Sequence, residues 1–317
     1  SRAWERDALV AEVVHKLKRE QANVLLVGEG GVGKTTVLAD AVRAIESIPD
    51  PERPPSATPR LFWQTSAGRL IAGMRYLGQW EERVEEVIGE LQTIGGVLCV
   101  ERLLGLVRLG GFDASDSIAA FLIPFLQRRE LRMAAEATPA ELEACRRLLP
   151  GLAELFQIVH VPPLGRPEAL GVLQRLATGL AQNTRTTATP AAADRVYRLF
   201  RRFLPYQGFP GRAVSFVRQL FEKAAPGSTV GPEEVLTQFV KQTGLPEPLL
   251  RDDLTLDRSD VMAELQREVI DQSAATEAAA DLVMTFKAGL NDPLRPLGVM
   301  LFCGPTGVGK TALAKAL

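Results

Sequence analysis

The sequence predicts an α/β fold in which a parallel β-sheet lies between helices, followed by an all-helical unit. Short apolar runs at residues 23–27, 60–64 and 97–100 alternate with helical patterns. This alternation is typical of a parallel sheet covered on both faces. Beyond Pro162 and Pro163 the strand signals fade and helical periodicity dominates.

The elements follow one another in a regular order. A helical pattern at 8–17 precedes the first strand, at 23–27, and a glycine-rich loop then leads into a helix at 36–46. The Pro- and Ser-rich stretch 49–59 predicts a loop. Further elements are a strand at 60–64, a charged helix at 80–91, a strand at 97–100, and helices at 167–180, 191–203, 211–223, 232–242, 260–269 and 274–289.

The length of 317 residues, 46% of them hydrophobic, predicts more than one folded unit. We assign 1–162 to an α/β subdomain, 163–246 to a helical subdomain, and 247–317 to a linker and the start of a second α/β module. The sequence does not begin with methionine and ends at Leu317, shortly after a second glycine-rich loop. We therefore expect the chain to be a fragment of a longer protein.

The first glycine-rich loop has the pattern of a phosphate-binding loop. It comprises Gly28, Glu29, Gly30, Gly31, Val32, Gly33, Lys34 and Thr35, with Thr36 directly after it. Between a strand and a helix, such a loop directs backbone N–H groups at phosphate oxygens. Lys34 supplies positive charge to the terminal phosphates, and the Thr35 hydroxyl is a ligand for Mg²⁺. ATP and Mg²⁺ are the predicted cofactors.

A second loop of the same type follows near residue 304. Its members are Gly304, Pro305, Thr306, Gly307, Val308, Gly309, Lys310 and Thr311. Aligned on Lys34 and Lys310, the two loops share the pattern G-x-x-G-V-G-K-T, which indicates an internal repeat. We expect an apolar strand before this loop and a Mg²⁺ ligand at Thr311.

The strand at 97–100 is where carboxylates for hydrolysis are expected. Hydrolysis needs one carboxylate to hold Mg²⁺ and another to align water. The residues that follow the strand are Glu101 and Arg102. Glu101 is a candidate metal ligand, but Arg102 has no acceptor with which to orient water. No residue of this module is therefore assigned as catalytic.

These motifs resemble the Clp family of tandem AAA+ unfoldases. The first loop reads GEGGVGKT, and residues 72–83 read AGMRYLGQWEER, which is similar to the family pattern AGxKYRGEFEER. In the family this aromatic residue lies on a loop that lines the central pore and grips polypeptide, and the resemblance gives that role to Tyr76. Residues 295–315 and 269–272 resemble the start of the family's second module.

The chain departs from the family at the sites of hydrolysis. Besides Arg102, the family's arginine fingers are replaced by Glu154 and Leu155, and the sensor strand reads AEAT at 135–138. Arg212, within a segment similar to the family's small-subdomain sensor, is retained as a candidate nucleotide-binding residue. There is no room for a coiled-coil insertion between Ala224 and Glu234, so the organisation is closer to ClpA than to ClpB.

The resemblance implies a ring-forming ATPase, hexameric in the family, that unfolds, translocates or remodels protein substrates. We expect its first module to bind ATP and its second to hydrolyse it, and the resemblance leaves room for an adaptor or a protease partner. A rival interpretation is a nucleotide-gated scaffold or assembly switch without motor activity. A clamp-loader-like or STAND-type ATPase is disfavoured by the paired loops and the surroundings of Tyr76.

Composition excludes several other classes. A net charge of −1 gives no sign of nucleic-acid binding, and the arginines at 195, 198, 201 and 202 predict a solvated helix face. No run of apolar residues is long enough to cross a membrane, and no secretory signal is recognisable, so we predict a cytoplasmic, soluble protein. Cys99, Cys145 and Cys303 are too far apart for a metal knuckle, and we expect buried free thiols.

Overall fold

The computed structural model describes residues 2–47, 61–72, 79–205, 208–289 and 298–317. Tyr76 lies outside the described residues. The chain divides into two compact units, one formed by 1–172 with 207–215 and the other by 173–206 with 216–317. Two of the three boundaries between the units fall within helices, α8 (Arg166–Thr184) and α10 (Gly211–Lys223).

The first unit is built on a five-stranded parallel sheet with the order β2-β3-β4-β1-β5. The strands are β1 (Val24–Val27), β2 (Phe62–Thr65), β3 (Val97–Val100), β4 (Arg132–Ala137) and β5 (Gln157–His160). β1, β3 and most of β4 are buried on both faces, as their unbroken apolar runs predict. Asn23 fixes the start of β1, since its side-chain amide bonds the backbone of Met133 and Leu155.

Helices cover both faces of this sheet. They are α1 (Asp7–Val14), continued by a π-helical turn (His15–Arg19), α2 (Lys34–Glu46), α3 (Ala67–Leu70), α4 (Gln79–Ile94), α5 (Leu103–Arg108), α6 (Ile118–Gln127) and α7 (Pro139–Leu148), with 3₁₀ turns at Ala114–Asp116 and Ala153–Leu155. Alternate strand residues point to opposite faces. Leu25 and Val27 therefore join the core beneath α4, whereas Val24 and Leu26 join the core beneath α2.

The second unit is mainly helical. Besides parts of α8 and α10 it contains α9 (Pro190–Phe203), α11 (Pro232–Thr243), α12 (Glu247–Leu250), α13 (Arg258–Glu268), α14 (Ser273–Lys287) and α15 (Lys310–Ala316). Phe200, Phe216 and Phe239 form an aromatic cluster in its core. A two-stranded parallel sheet, β6 (Thr187–Ala188) with β7 (Thr229–Val230), interrupts the predicted all-helical organisation.

The strand expected before the second loop does not form in this structure. Residues 298–303 have no strand assignment, and Val299 and Leu301 are 91% and 87% exposed. A strand needs a ladder partner, and none lies beside this stretch among the described residues. A small apolar cluster nevertheless joins α13, α14 and α15 through Leu265, Ala279 and Leu313.

Candidate nucleotide-binding site

The first phosphate loop, residues 28–35, connects the carboxyl end of β1 to α2. Gly28 donates its N–H to the carbonyl oxygen of Ala137 on β4, at 3.1 Å, which fixes the start of the loop to the sheet edge. Gly33 has a φ of 99°, a left-handed conformation that favours glycine, and α2 begins at the next residue. The unpaired N–H groups of the first turn of α2 therefore lie at the loop, where they attract anions.

Lys34 is the buried cation of this loop. Its ammonium group donates to the carbonyl oxygens of Gly28 and Glu29, at 2.8 and 3.0 Å. Burial lowers the pKa of Lys34, while the carboxylates of Glu136, Glu141 and Glu29 act in the opposite direction. The positive charge is thus held inside the curve of the loop, close to three carboxylates.

Thr35 is bonded to a residue from the middle of the sheet. Its hydroxyl donates to Oε2 of Glu136, with 2.9 Å between the oxygens. Glu136 lies on β4, in the central position of the sheet, and its side chain is buried. Burial raises the pKa of Glu136 to about 7; the Thr35 hydrogen bond and the charge of Lys34 oppose this rise, and the nearby Glu101 carboxylate adds to it.

Glu136 was assigned no role from the sequence, although the sequence contained a signal for one. Glu136 is the one charged residue in an otherwise apolar run, 133–137, that ends at the edge where ligands bind parallel sheets. A carboxylate in such a strand needs a partner to offset its desolvation. That partner, Thr35, is 101 residues earlier in the chain.

Glu101 and Arg102 follow β3, as predicted, and form hydrogen bonds with different partners. Glu101 is exposed and accepts a hydrogen bond from Nε2 of Gln64, at 3.1 Å. Arg102 donates from Nε and Nη2 to Oε1 of Glu141, at 3.0 and 2.6 Å. Glu141 also caps α7 together with Thr138. The guanidinium of Arg102 is therefore tied to the start of α7.

A closing segment, residues 208–215, lies against the first phosphate loop. The N–H of Gly211 donates to the carbonyl oxygen of Gly31, at 2.9 Å. A Cβ atom built on Gly208 would lie 1.4 Å from the carbonyl oxygen of Gly30, so only glycine permits this approach. Arg212 is exposed and directly follows the residue that makes the backbone bond. The structure thus brings the segment that carries Arg212 to the loop.

Arg6 is a further contact that sequence reasoning missed. Its guanidinium is buried and donates to the carbonyl oxygens of Val32 and Pro162. Burial lowers the pKa of Arg6, and the carboxylate of Glu168 opposes the shift. This side chain connects the N-terminal segment to the loop and to the residues that follow β5.

The second phosphate loop, residues 304–311, has the same local geometry. The ammonium group of Lys310 donates to the carbonyl oxygens of Gly304 and Pro305, at 2.7 and 2.5 Å. These acceptors lie six and five residues before the lysine, as do the acceptors of Lys34. Gly309 has a φ of 90°, and α15 begins at the following residue. Lys310 is less buried than Lys34, and Thr311 is exposed.

The donor set around Thr35 fits Mg²⁺. Mg²⁺ binds hydroxyl, carboxylate and phosphate oxygens, and in ATPases it uses one or two carboxylates together with the phosphates of the substrate. The Thr35 hydroxyl with Glu136, and Glu101 at the adjoining strand end, offer such oxygens. Over the described ranges, no group of three or more His, Cys, Asp or Glu side chains could hold a metal unaided. The phosphates of a nucleotide would therefore have to complete the site.

No protein-family model matches the sequence. A ClpB chaperone from Oceanobacillus iheyensis is 27% identical over 364 residues, covering 95% of this chain and 45% of the relative. A ClpA homolog protein from Fuscovulum blasticum is 28% identical over 321 residues, covering 98% of this chain and 40% of the relative. The chain thus spans less than half the length of these curated relatives. A solved structure of Hsp104 with ATPγS and FITC casein matches the fold with a TM-score of 0.65 at 22% identity, over 92% of this chain and 50% of that one.

The chain is therefore similar to the Clp/Hsp100 AAA+ ATPases. Its α/β and helical parts are consistent in fold with AAA+ large and small subdomains.

The structure bears on three further expectations, which concern the basic helix face, membrane-spanning helices and the cysteines. In the predicted basic face, Arg195, Arg198 and Arg202 each form an ion pair with Asp252, and Arg198 also pairs with Asp194. Arg198 and Arg201 are exposed, as a solvated face requires, but Arg195 and Arg202 are half-buried. None of the helices over the described residues is long and apolar enough to cross a bilayer. Cys99 and Cys145 are buried, as expected, but Cys303 is exposed, which corrects the prediction for that thiol. Its strand-like surroundings lack the sheet that would cover them.

Proposed function

We propose that the chain is the ATP-binding segment of a ring-forming Clp-like AAA+ ATPase that unfolds, translocates or remodels proteins. The geometry of the first phosphate loop carries the nucleotide-binding part of this proposal. A left-handed glycine, a buried lysine and the first turn of α2 converge at the carboxyl end of β1. The similarity to ClpB and ClpA relatives supports the remodelling part.

Each residue of the loop has a definite task in this proposal. The N–H groups of the loop and of the start of α2 hold the phosphate oxygens, and Lys34 exchanges its two carbonyl partners for the terminal phosphates. Thr35 would offer a hydroxyl oxygen to Mg²⁺, which would neutralise phosphate charge. Arg212, brought to the loop by the closing segment, adds a second cation.

We further propose that this module, residues 1–246, binds ATP well but hydrolyses it slowly. Arg102 occupies the place of the water-aligning carboxylate, and its guanidinium is held by Glu141. Hydrolysis would then come mainly from the second module, which begins after residue 247. The first module would stabilise the ring in its nucleotide-bound form.

The ring and its partners follow from the family and stay part of the proposal. We expect a homo-oligomer, hexameric as the resemblance implies, with protein substrates gripped in the pore by Tyr76. The Hsp104 structures contain casein and a nucleotide analogue, which supports polypeptide substrates and ATP here. An adaptor or a protease partner would act through parts of the longer protein.

A nucleotide-gated scaffold is the second candidate function. The Arg102–Glu141 pair favours it, because a cation fixed at the hydrolytic position suits a module that holds nucleotide without turning it over. The two functions differ in the longer protein: a motor hydrolyses ATP and unfolds a tagged substrate, whereas a scaffold changes only its assembly state. Parallel measurements of ATP turnover and of ring assembly distinguish them.

The nucleotide-binding proposal is tested by titrating the chain with a fluorescent ATP analogue in Mg²⁺. Lys34→Ala removes a buried cation whose hydrogen bonds to a charged partner are each worth about 1.5–3 kcal/mol, so affinity at the first loop should fall about tenfold or more. Lys310→Ala is the matched control, since it makes the same change at the second loop. Unchanged affinity in Lys34→Ala would mean that residues 28–35 do not bind the nucleotide.

A further inference from the structure

Glu136 has no assigned role, yet it is the carboxylate in direct contact with the first phosphate loop. It lies on β4 with strands on both sides, and its backbone is in register with Leu26 on β1. Only 5% of its surface is exposed. Its one hydrogen bond to a side chain of the loop comes from Thr35.

This contact prepares the Thr35 oxygen for a cation. A hydroxyl binds a metal through an oxygen lone pair, and its proton must point elsewhere. In the structure that proton is donated to Glu136, at 2.9 Å. An outer carboxylate that accepts the proton of a ligand fixes the orientation of the ligand and increases its basicity.

Glu101 fits this task less well. It follows β3, which is separated from β1 by β4, and it is exposed. Its carboxylate accepts a hydrogen bond from Gln64, which belongs to the edge strand β2. Glu136 is one strand closer to the loop and is already bonded to Thr35.

Charge gives a second, independent argument. A buried carboxylate next to nucleotide phosphates is repelled by them unless a cation lies between or the carboxylate takes up a proton. Lys34 is close to Glu136, but in the nucleotide-bound state its single charge also serves the phosphates. A divalent cation at Thr35 would face Glu136 and the phosphates together and would offset the repulsion.

We propose that Glu136, through Thr35, is the positioning carboxylate for the divalent cation of the first phosphate loop. It substitutes from β4 for the aspartate that the family pattern places after β3. The inference rests on the proposed Mg-ATP binding and adds the residue that makes this binding depend on the cation.

The test compares nucleotide affinity with and without a divalent cation in the full 317-residue chain, with Lys310→Ala as background to silence the second loop. The affinity of a fluorescent ATP analogue is measured in Mg²⁺ and in EDTA, and the ratio of the two is the readout. Loss of an outer-shell partner typically costs 10–100-fold in metal affinity, so Glu136→Gln should reduce this ratio by about tenfold or more. Affinity in EDTA should hold or rise, because a negative charge near the phosphates has gone.

Two controls give the ratio its meaning. Glu46→Gln removes an exposed negative charge near the end of α2, and the ratio should stay within about twofold of that of the parent chain. Thermal unfolding checks that Glu136→Gln, which keeps the side-chain volume, still folds. Titration of Mn²⁺ into the nucleotide complex gives the cation affinity directly and should show the same loss.

The outcomes separate the two proposals. If the parent chain binds no nucleotide, the proposed function fails. If the parent chain binds nucleotide and the ratio for Glu136→Gln falls by less than about fivefold, or affinity drops equally in Mg²⁺ and in EDTA, only the role of Glu136 is overturned. In that case the Thr35–Glu136 bond is a structural contact.

Discussion

The N–H of Gly211 donates a hydrogen bond to the carbonyl oxygen of Gly31, joining the closing segment to the first phosphate loop at 2.9 Å. Three residues earlier, Gly208 approaches the carbonyl of Gly30 so closely that a Cβ atom has no space. Because both contacts are between backbone atoms, no flexible side chain can move to relieve a clash. The loop and the segment that carries Arg212 therefore depend on each other's position.

Gly208→Ala should separate the closing segment from the loop. The added methyl group would lie 1.4 Å from the Gly30 oxygen, so the backbone must shift. Overpacking of this kind lowers the free energy of unfolding by about 1–3 kcal/mol. Nucleotide affinity should also fall, because Arg212 moves with the segment. Chemical denaturation and nucleotide titration measure the two effects.

Gly89→Ala is the matched control for this change. Gly89 lies in the middle of α4, and a Cβ atom there meets nothing within 4 Å. Alanine in a helix interior should raise the free energy of unfolding by up to about 1 kcal/mol and leave nucleotide affinity unchanged. If Gly208→Ala behaved like Gly89→Ala, the close approach would not be a constraint in solution.

The three thiols should differ sharply in reactivity. Burial raises the pKa of Cys99 to about 12 and that of Cys145 to about 11, so at pH 8 only about one molecule in a thousand or fewer carries either thiolate. The thiolate is the reactive form. Cys303 is exposed, and Ellman's reagent should therefore titrate one fast thiol in the native chain and three in denaturant.

Cys303→Ser should remove the fast phase of this titration. Because the pKa values of Cys99 and Cys145 are raised, raising the pH from 7 to 9 should leave both thiols protonated and slow. A second fast thiol in the native chain would contradict the burial of β3 or of α7.

Local signals predicted most elements of the fold. Residues 97–100 form a strand with the predicted bounds, and α10 spans 211–223 as expected, because apolar runs and helical periodicity are properties of adjacent residues. β6 and β7 were missed, since each is two residues long and depends on its partner 42 residues away. The strand expected at 298–303 was wrong for the converse reason: its apolar pattern is present, but no described strand lies beside it.

The candidate site likewise has features that local sequence predicts and others that depend on tertiary structure. Both phosphate loops are contiguous motifs, so each of their residues could be predicted from the sequence. Glu136 reaches Thr35 only because β4 is inserted between β3 and β1, an order that the sequence does not state. The contact between Gly208 and Gly30 likewise comes from tertiary packing.

Tyr76→Ala in the full-length protein should weaken substrate engagement and leave basal ATP turnover nearly unchanged. The prediction rests on the AGMRYLGQWEER pattern, since Tyr76 lies outside the described residues. An aromatic gripping residue contacts polypeptide, not nucleotide. Tyr76→Phe keeps the ring and should retain most unfolding of a tagged substrate. Equal losses of unfolding and ATPase rate in Tyr76→Ala, or no loss of either, would remove the pore role.

The proposed slow hydrolysis by the first module rests on three departures of the chain from the family pattern. Arg102 stands where the water-aligning carboxylate belongs, and its guanidinium is paired with Glu141. Glu101 replaces the usual aspartate and is bonded to Gln64. The positions of the arginine fingers hold Glu154 and Leu155, within a 3₁₀ turn. The role proposed for Glu136 concerns the cation and supplies no group to align water.

The expected losses in hydrolysis rate predict a module that binds ATP and retains it. Loss of an arginine finger alone costs about a thousandfold or more in rate, and loss of the water-positioning carboxylate adds to that, whereas binding at the loop needs neither group. The measurement is single-turnover hydrolysis by full-length protein in which Lys310→Ala disables the second loop. Bound nucleotide should be recovered as intact ATP after many minutes, while the matched Lys34→Ala protein, whose affinity is lower by about tenfold or more, should retain less nucleotide at its first loop. Turnover at about one per second or faster, the range of ordinary ATPases, would show that another residue of the first module aligns the water.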